Sequence, residues 1–492
     1  TLTVGVSRDL VEGPRDPYFV HASLRVWESL VELGDDLEPR PLLAESWSSS
    51  ADARTWSFQI RPNVKFHDGS PLDAAAVAAN VERFLRISPR PSPFFLLDKS
   101  LAYGSLRSVE VCGPLTVQFR LDEPTPMLPN MMAGFFSAIF APSSFDANGD
   151  FVKLVATGPF QLGEWKKGEG ATLERFDGYW RDRARLKTVR IKVLPDPPAR
   201  LAALRAGEVQ AVAELGAILP DQAAEVAADS RLKLGSQTIA LSHYLFFNGT
   251  RAPFSDARAR LAISLLLDRR GLVSTVLSGH GTPAVSVLHP LSSRWTRTDL
   301  APVHDPTRAA SLMASALSTG ANAAAPERRP VSLVLSAALL GRAPYKTVAE
   351  ILQDRAAPLG LDVQITVLDA AAYNAALKAG DYDIAMGSQG WPNGDPHYIF
   401  GRYLHSRGQL NVDRRLGAGD PATDELIDRG VREPSFERRK AVYDRLQELA
   451  ADQVHLTPLW HDVALYAYRD GLADLGMDMN YRMTLAEARW TR

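Results

Sequence analysis

The stretch TWSFQIRPNVKFHDG occupies residues 55–69 and sets the character of the first part of the chain. Apolar and polar side chains alternate over residues 55–60, which predicts a half-buried β-strand. The RPN and DG segments that follow are turn sequences. Behind Asp73, apolar residues recur at helical spacing over residues 74–84, which indicates a helix. Alternating runs at 109–111 and 116–119 flank a Gly-Pro turn, so antiparallel strands mixed with helices are expected here.

Strands and helices alternate farther along the chain. Runs rich in β-branched residues are separated by segments with helical apolar spacing, and Pro or Gly residues mark their ends. This alternation indicates an α/β fold. The predicted elements are strand 189–193, helix 199–206, strand 331–336, helix 345–356, strand 363–368, helix 370–378 and strand 382–386, followed by a long loop over about 387–411.

Length and composition describe a folded protein with more than one compact unit. The chain has 492 residues, 46% of them hydrophobic and 23% charged, far from disordered compositions. Its 55 Lys and Arg against 57 Asp and Glu give a net charge of −2, so no basic field attracts nucleic acid. No run of about 18 apolar residues is present, so no membrane-spanning helix is expected. The start at Thr1, without Met, suggests that a targeting segment was removed.

Motifs for common catalytic chemistry are missing from the sequence. Cys112 is the single cysteine, which excludes an internal disulfide or a thiolate zinc cluster. The ten histidines are scattered, with no pair at helical i, i+4 spacing. The P-loop, HExxH, GxSxG and kinase patterns are absent. We therefore expect a protein that is not an enzyme, and an exported hydrolase is a distant alternative.

Several motifs, in the same order along the chain, resemble the extracellular solute-binding proteins of the peptide, nickel and opine import family (family 5, with features of the nickel-binding proteins). The resemblance spans most of the chain and supplies expectations about its architecture. The motifs are LAESW at 43–47, RPNVKFHDG at 61–69, ATGPF at 156–160, YW at 179–180, FFN at 246–248, GHG at 279–281 and WPNGDP at 391–396.

The resemblance implies an α/β, periplasmic-binding-protein-like class II fold with two lobes and a ligand cleft between them. Lobe I is expected to contain residues 1–245 plus 459–492, with an inserted subdomain at about 36–155. Lobe II is expected to contain residues 246–458. Connecting strands near 239–247 and 456–466 are expected to form a hinge that closes the cleft.

The same resemblance implies an import receptor. It is expected to be a periplasmic or lipid-anchored monomer that delivers its ligand to an inner-membrane ABC permease and has no intrinsic cofactor. The favoured ligand is a small carboxylate-rich chelate of nickel or another divalent metal, with a metallophore, opine or histidine-like chelator. A short peptide is the alternative, and a receptor that also serves a membrane signalling protein is equally compatible with the sequence.

Candidate ligand contacts come from the expected cleft loops. Arginine recognises carboxylates through its planar fork. Arg90 and Phe94 lie roughly where the nickel binders have an arginine and an aromatic residue, whereas a second arginine of those proteins has no counterpart at 136–139. Trp391 offers a planar contact, and His405 is the candidate metal ligand. The remaining candidate contacts are Tyr18, His21, Asn248, Tyr373, Asn393, Arg402, Arg407 and Asn411.

Overall fold

A single mixed β-sheet runs through the computed structural model, which describes residues 1–91, 96–318 and 328–491. Its pairs are parallel in places and antiparallel in others. In spatial order its strands are Phe160–Lys166, Gly170–Arg175, Thr188–Val193, Leu2–Val6, Ala211–Val212, Leu456–Arg469, Leu232–Phe247, Ile384–Gly390, Arg329–Ser336 and Leu361–Leu368, with Gly281–Pro283 added beside Leu456–Arg469.

Two long strands, Leu232–Phe247 and Leu456–Arg469, cross the middle of this sheet as an antiparallel pair. We call them the crossing strands. Their register is interrupted between Thr238 and Ser242, where extra residues on one strand leave the ladder. Such an irregularity bends and twists a strand pair locally. The crossing strands therefore join the two ends of the sheet through a bent segment.

Separate apolar cores lie on the two sides of the crossing strands. One cluster draws its buried residues from 2–213 and 472–488, and another draws them from 245–460. The molecule is thus two-lobed, and we call these sides lobe I and lobe II. The exact boundaries at 245/246 and 458/459 stay a prediction.

Lobe I contains a four-stranded antiparallel sheet of its own. The helix Ala74–Ile87 contacts this sheet with an apolar face. Phe58 and Phe119, from neighbouring strands, are fully buried between them. In spatial order the strands are Ala44–Ser49, Thr55–Ile60, Thr116–Leu121 and Leu106–Gly113.

Aspartate is the N-cap residue of most of the longer helices. At each of these starts the carboxylate accepts a hydrogen bond from a backbone N–H group of the first turn, which stabilises the helix N-terminus. The helices of eight or more residues are Ala74–Ile87, Pro197–Ala206, Ala257–Leu266, Pro306–Leu317, Tyr345–Ala356, Ala370–Ala379, Pro421–Arg432 and Phe436–Gln453. Shorter ones include Phe19–Ser23, Lys99–Tyr103, Ala223–Ala228 and Gln409–Asp413.

The predicted strand at 382–386 and the loop after it are wrong in their bounds. The strand is Ile384–Gly390, because residues that look like a turn pair with the crossing strand Leu232–Phe247. The remainder of the predicted loop contains helical turns at His397–Ile399, Phe400–Leu404 and Gln409–Asp413.

Candidate functional site

The lobes approach each other at the carboxyl ends of two parallel strands of lobe I. Arg8 follows the strand Leu2–Val6, and Glu214 follows its parallel neighbour Ala211–Val212. In open α/β sheets, ligands bind at the carboxyl ends of parallel strands. Lobe II faces this edge directly, since a Cβ placed on Gly216 would lie 3.4 Å from Cγ of Arg342.

Arg8, Glu214 and Arg342 form a group that we call the charged centre. Glu214 accepts a hydrogen bond from the backbone N–H of Ser7. Arg200 fixes the loop that follows, because its guanidinium donates to the carbonyl of Gly216 at 2.9 Å. Arg342 belongs to lobe II and lies between the short helix Ala337–Leu340 and the helix Tyr345–Ala356.

The electrostatics of the charged centre show that its members interact across the lobes. Burial lowers the pKa of Arg8 to about 10, with repulsion from Arg342 as the next cause. Burial also lowers the pKa of Arg342, an effect that the Glu214 carboxylate opposes. Burial raises the pKa of Glu214, and the neighbouring arginines oppose this shift. Three guanidinium groups, those of Arg8, Arg200 and Arg342, interact with the one Glu214 carboxylate, so positive charge exceeds negative charge among these four groups.

Aromatic and amide side chains lie beside the charged centre. Phe135 and Tyr481 of lobe I stack with their ring centroids 6.3 Å apart. On lobe II, the Arg402 guanidinium lies 4.7 Å from the centroid of the Tyr398 ring, whose hydroxyl is 3.5 Å from Nε2 of Gln389. Burial raises the pKa of Tyr481, with the nearby Tyr398 as the second cause. These rings and amides can contact the apolar and polar parts of a small molecule.

A histidine of the crossing strands lies close to this group. Nδ1 of His243 is 2.7 Å from the Tyr345 hydroxyl, and its Nε2 is 3.4 Å from a carboxylate oxygen of Asp462. The imidazole stacks on Trp460 with ring centroids 4.3 Å apart. His243 therefore connects both crossing strands to the helix Tyr345–Ala356 of lobe II.

The structure places Arg90 and Tyr18 together, but in a different place from the charged centre. Both line a cavity of about 250 Å³ within lobe I. Arg90 forms an ion pair with Asp150. The Tyr18 hydroxyl accepts a hydrogen bond from Arg83 at 3.2 Å, and its ring is buried. A ligand role for these two residues stays a prediction.

The fold uses the amide groups of both predicted asparagine contacts, and their ligand roles stay predictions. The Asn248 amide donates to the carbonyls of Gly380 and Tyr382 and accepts from Thr250. The Asn411 amide donates to the carbonyls of His405 and Ala418 and accepts from the N–H of Ala418. Both side chains are buried, so neither is available to a ligand in this conformation.

Four further predicted contacts have structural partners. His21 is fully buried, with Nε2 3.1 Å from the carbonyl oxygen of Gly13. The Tyr373 hydroxyl donates to the carbonyl of Met386 at 2.7 Å. Trp391 is fully buried in the apolar core, and Asn393 accepts from a backbone N–H in its own turn. These side chains shape the fold, and their predicted cleft contacts stay predictions.

The remaining loop predictions are Arg402, the exposed Arg407 and the buried His405. Arg402 faces Tyr398, as described above. The Arg407 side chain is 81% exposed and 3.9 Å from Asp428, and its predicted anchor role stays a prediction. His405 accepts from the N–H of Arg407 and has Nε2 3.5 Å from Asp428. Within the described ranges no cluster of three or more His, Cys, Asp or Glu could hold a metal, and the role of His405 as a metal ligand stays a prediction. Phe94 lies outside the described residues.

Sequence reasoning missed the whole charged centre. Arg8 and Glu214 each come directly after a short β-rich run, and a charged residue at that point of a parallel strand is a usable signal. Arg342 gives no such signal, because it lies in an irregular segment between two helices. The position of Arg342 beside Arg8 and Glu214 depends on how lobe II packs against lobe I.

Residues 38–411 match the family model described as bacterial extracellular solute-binding proteins, family 5, middle region. This match covers well over half of the 492 residues. The chain belongs to the family 5 bacterial extracellular solute-binding proteins. The family consists of solute-binding proteins rather than enzymes, and no helix in the described residues combines the length and apolar character needed to cross a membrane.

Relatives of this family 5 protein cover most of its length. Glutathione-binding protein GsiB of Salmonella paratyphi A is 27% identical over 372 residues, which is 74% of this chain and 69% of that protein. GsiB of Escherichia coli O1:K1 is 25% identical over 480 residues, which is 90% of this chain and 89% of that protein. The crystal structure of NikA from Brucella suis with Fe(III)-EDTA is 25% identical, with a TM-score of 0.86 over the whole of both chains. The predicted periplasmic-binding-protein-like α/β fold is confirmed.

Proposed function

We propose that this substrate-binding receptor of a family 5 ABC importer captures a small carboxylate-bearing solute in the interlobe cleft. The observation that carries the proposal is the charged centre, where Arg342 of lobe II lies against Gly216 of lobe I and its repulsion lowers the pKa of Arg8. A carboxylate between the two guanidinium groups accepts hydrogen bonds from both lobes. The protein then presents the solute to a membrane permease from the periplasm or from a lipid anchor.

Two opposed arginines also couple ligand binding to closure. Without an added anion, their repulsion disfavours the approach of the lobes, and Glu214 compensates only one positive charge. A carboxylate removes this repulsion only when both arginines are near it. The solute therefore interacts more strongly with the closed form than with the open form, which is the requirement for a ligand-driven population shift.

A carboxylate-rich metal chelate is the ligand class that we favour. Its metal is bound by the organic chelator, while the protein contacts the carboxylates. The NikA structure with Fe(III)-EDTA supports this class, since EDTA carries several carboxylates. We expect free Ni²⁺ to bind weakly in calorimetry. Submicromolar affinity for the bare ion after dialysis against a chelator would contradict this expectation.

A short peptide is the second candidate, and Glu214 is the observation that favours it. A carboxylate beside the arginines can pair with the amino group of a peptide whose carboxylate contacts Arg8 or Arg342. The GsiB relatives, which are glutathione-binding proteins, support this class because glutathione is a tripeptide with free carboxylates.

Calorimetry with Fe(III)-EDTA, glutathione and the dipeptide Met-Leu tests the proposal. We expect at least one of these probes to bind, and Arg342→Ala to weaken that binding by roughly 30-fold or more, because a buried carboxylate is left with fewer donors. Arg342→Lys should restore only part of the affinity, since lysine lacks the planar fork. Arg407→Ala is the matched control, because Arg407 is largely exposed. Equal affinities of the Arg342→Ala and Arg407→Ala proteins, or no binding of any probe, would refute the proposed capture of a carboxylate-bearing solute.

A further inference from the structure

A β-hairpin of lobe I reaches the apolar core of lobe II. Its strands, Val31–Leu33 and Pro39–Pro41, pair antiparallel, and residues 34–38 form the turn. Leu33 and Leu37 are the two buried residues that this part of the chain adds to a cluster built mainly from residues 240–456. The hairpin therefore has its base in one lobe and its tip in the other.

The backbone at the tip is held in a demanding conformation. Leu37 is 1% exposed and has a φ of +60°, in the left-handed region that non-glycine residues rarely adopt. Its carbonyl oxygen accepts from Nδ2 of Asn130 at 3.4 Å. The same oxygen lies so close to Gly394 of lobe II that a Cβ there would collide with it. Backbone hydrogen bonds of the turn, from the N–H of Leu37 to the carbonyl of Gly34 and from the N–H of Gly34 to the carbonyl of Glu38, hold this conformation, in which Leu37 packs against lobe II.

An ion pair lies beside the buried Leu37 side chain. The Glu38 carboxylate, 16% exposed, contacts the Arg294 guanidinium of lobe II at 2.5 Å. The guanidinium also lies 4.0 Å from the centroid of the Phe436 ring, which holds it in place. Ser292 donates to the carbonyl of Gly394 at 2.9 Å, so the lobe II segments that receive Leu37 and Glu38 are tied together.

We propose that residues 34–38 are a clasp that holds the two lobes together and sets the balance between closed and open forms. None of the contacts described for the clasp involves the charged centre. Separation of the lobes at this point exposes Leu37 and breaks the Glu38–Arg294 pair. Because the observed affinity of a receptor scales with the fraction in the binding-competent form, the clasp tunes affinity without contacting the solute.

Distance measurement between spin labels, in the absence of any solute, tests this inference. Native Cys112 is exposed on lobe I, and Glu425→Cys adds an exposed site on the helix Pro421–Arg432 of lobe II. We expect Leu37→Ala to raise the ratio of long to short interlobe distances at least tenfold. Asp35→Ala is the matched control, because Asp35 is exposed in the same turn.

Glu38→Gln supplies a second, milder variant that keeps the test decisive if Leu37→Ala fails to fold. We expect Glu38→Gln to raise the ratio about threefold, with the melting temperature of the protein unchanged. Distance distributions of Leu37→Ala and Glu38→Gln that equal that of Asp35→Ala would overturn the clasp. Since no solute is present, this outcome would leave the proposed carboxylate binding in the cleft unaffected.

Discussion

Arginine has two different uses in this protein at the scale of single residues. Arg8 and Arg342 face a cleft in which positive charge exceeds negative charge. Arg439 is enclosed instead, and it donates to both carboxylate oxygens of Asp395 at 2.6 and 2.8 Å and to the carbonyl of Gly430. The first arrangement favours an added anion, whereas the second fixes the 391–396 loop of lobe II to the helix Phe436–Gln453.

Removal of Arg439 is expected to be strongly destabilising. Arg439→Ala leaves Asp395 as an uncompensated buried charge, which costs about 3–5 kcal/mol. The adjacent Arg438 pairs with Glu433 but is 71% exposed, so Arg438→Ala should leave the urea midpoint nearly unchanged. Urea unfolding of both variants measures the difference. Similar midpoints for the two proteins would show that the buried pair adds no stability.

The buried imidazole of His67 is expected to make stability depend on pH. Burial lowers its pKa from the ordinary 6.5 to about 4, while Nε2 contacts the carbonyl of Gly158 at 3.0 Å. Between these pKa values the unfolded chain binds a proton that the folded protein does not bind. Stability is therefore lost as the pH falls from about 6.5 towards 4, by up to about 2 kcal/mol at pH 5 for this residue.

The matched comparison for His67 is His67→Gln, which cannot titrate. Urea midpoints of both proteins at pH 7 and pH 5 separate this effect from that of the other ionisable groups. We expect the urea midpoint to decrease less from pH 7 to pH 5 in His67→Gln than in the wild-type protein. An identical decrease in both proteins would mean that His67 does not contribute to the pH dependence.

At the scale of elements, helix starts depend on aspartate side chains. Oδ1 of Asp73 accepts from the N–H of Ala76 at 2.8 Å at the start of the helix Ala74–Ile87. Asp73→Ala removes this bond and should lower the unfolding free energy by about 1 kcal/mol, whereas Asp73→Asn should keep most of it. Thermal unfolding of the wild-type, Asp73→Ala and Asp73→Asn proteins measures the order of their stabilities. Equal stability of the alanine and asparagine variants would show that the cap is not formed.

The sequence predicted elements well where local periodicity is strong. The strand predicted at 55–60 is Thr55–Ile60, and the helix predicted at 345–356 is Tyr345–Ala356. The strand at Ile384–Gly390 was displaced, because its Gly, Ser and Gln residues resemble a turn and are extended only through pairing with a distant strand. Tertiary pairing overrode the local preference there.

The candidate site was predicted less completely, for a related reason. Arg402 lies against the Tyr398 ring, whereas Arg407 of the same segment is largely exposed, and the ligand roles predicted for both stay predictions. Arg8, Glu214 and Arg342 are far apart in sequence and meet only through the sheet and the contact between the lobes. No local pattern contains that information.

At the scale of the whole molecule, the structure joins two lobes by bent crossing strands and holds them at two separate points. One point is the charged centre, where Gly216 of lobe I lies next to Arg342 of lobe II. The other is the hairpin tip, which carries Leu37 and Glu38 into lobe II.

Native mass spectrometry of protein purified without denaturation tests the central claim most directly. The comparison is between the wild-type protein and the double variant Arg8→Ala/Arg342→Ala. We expect the wild-type protein to retain an unmodified small molecule with at least one carboxylate, detected by its mass increase on esterification, and the double variant to have lost it. Equal retention of the same molecule by both proteins, or a retained molecule without a carboxylate, would contradict the claim.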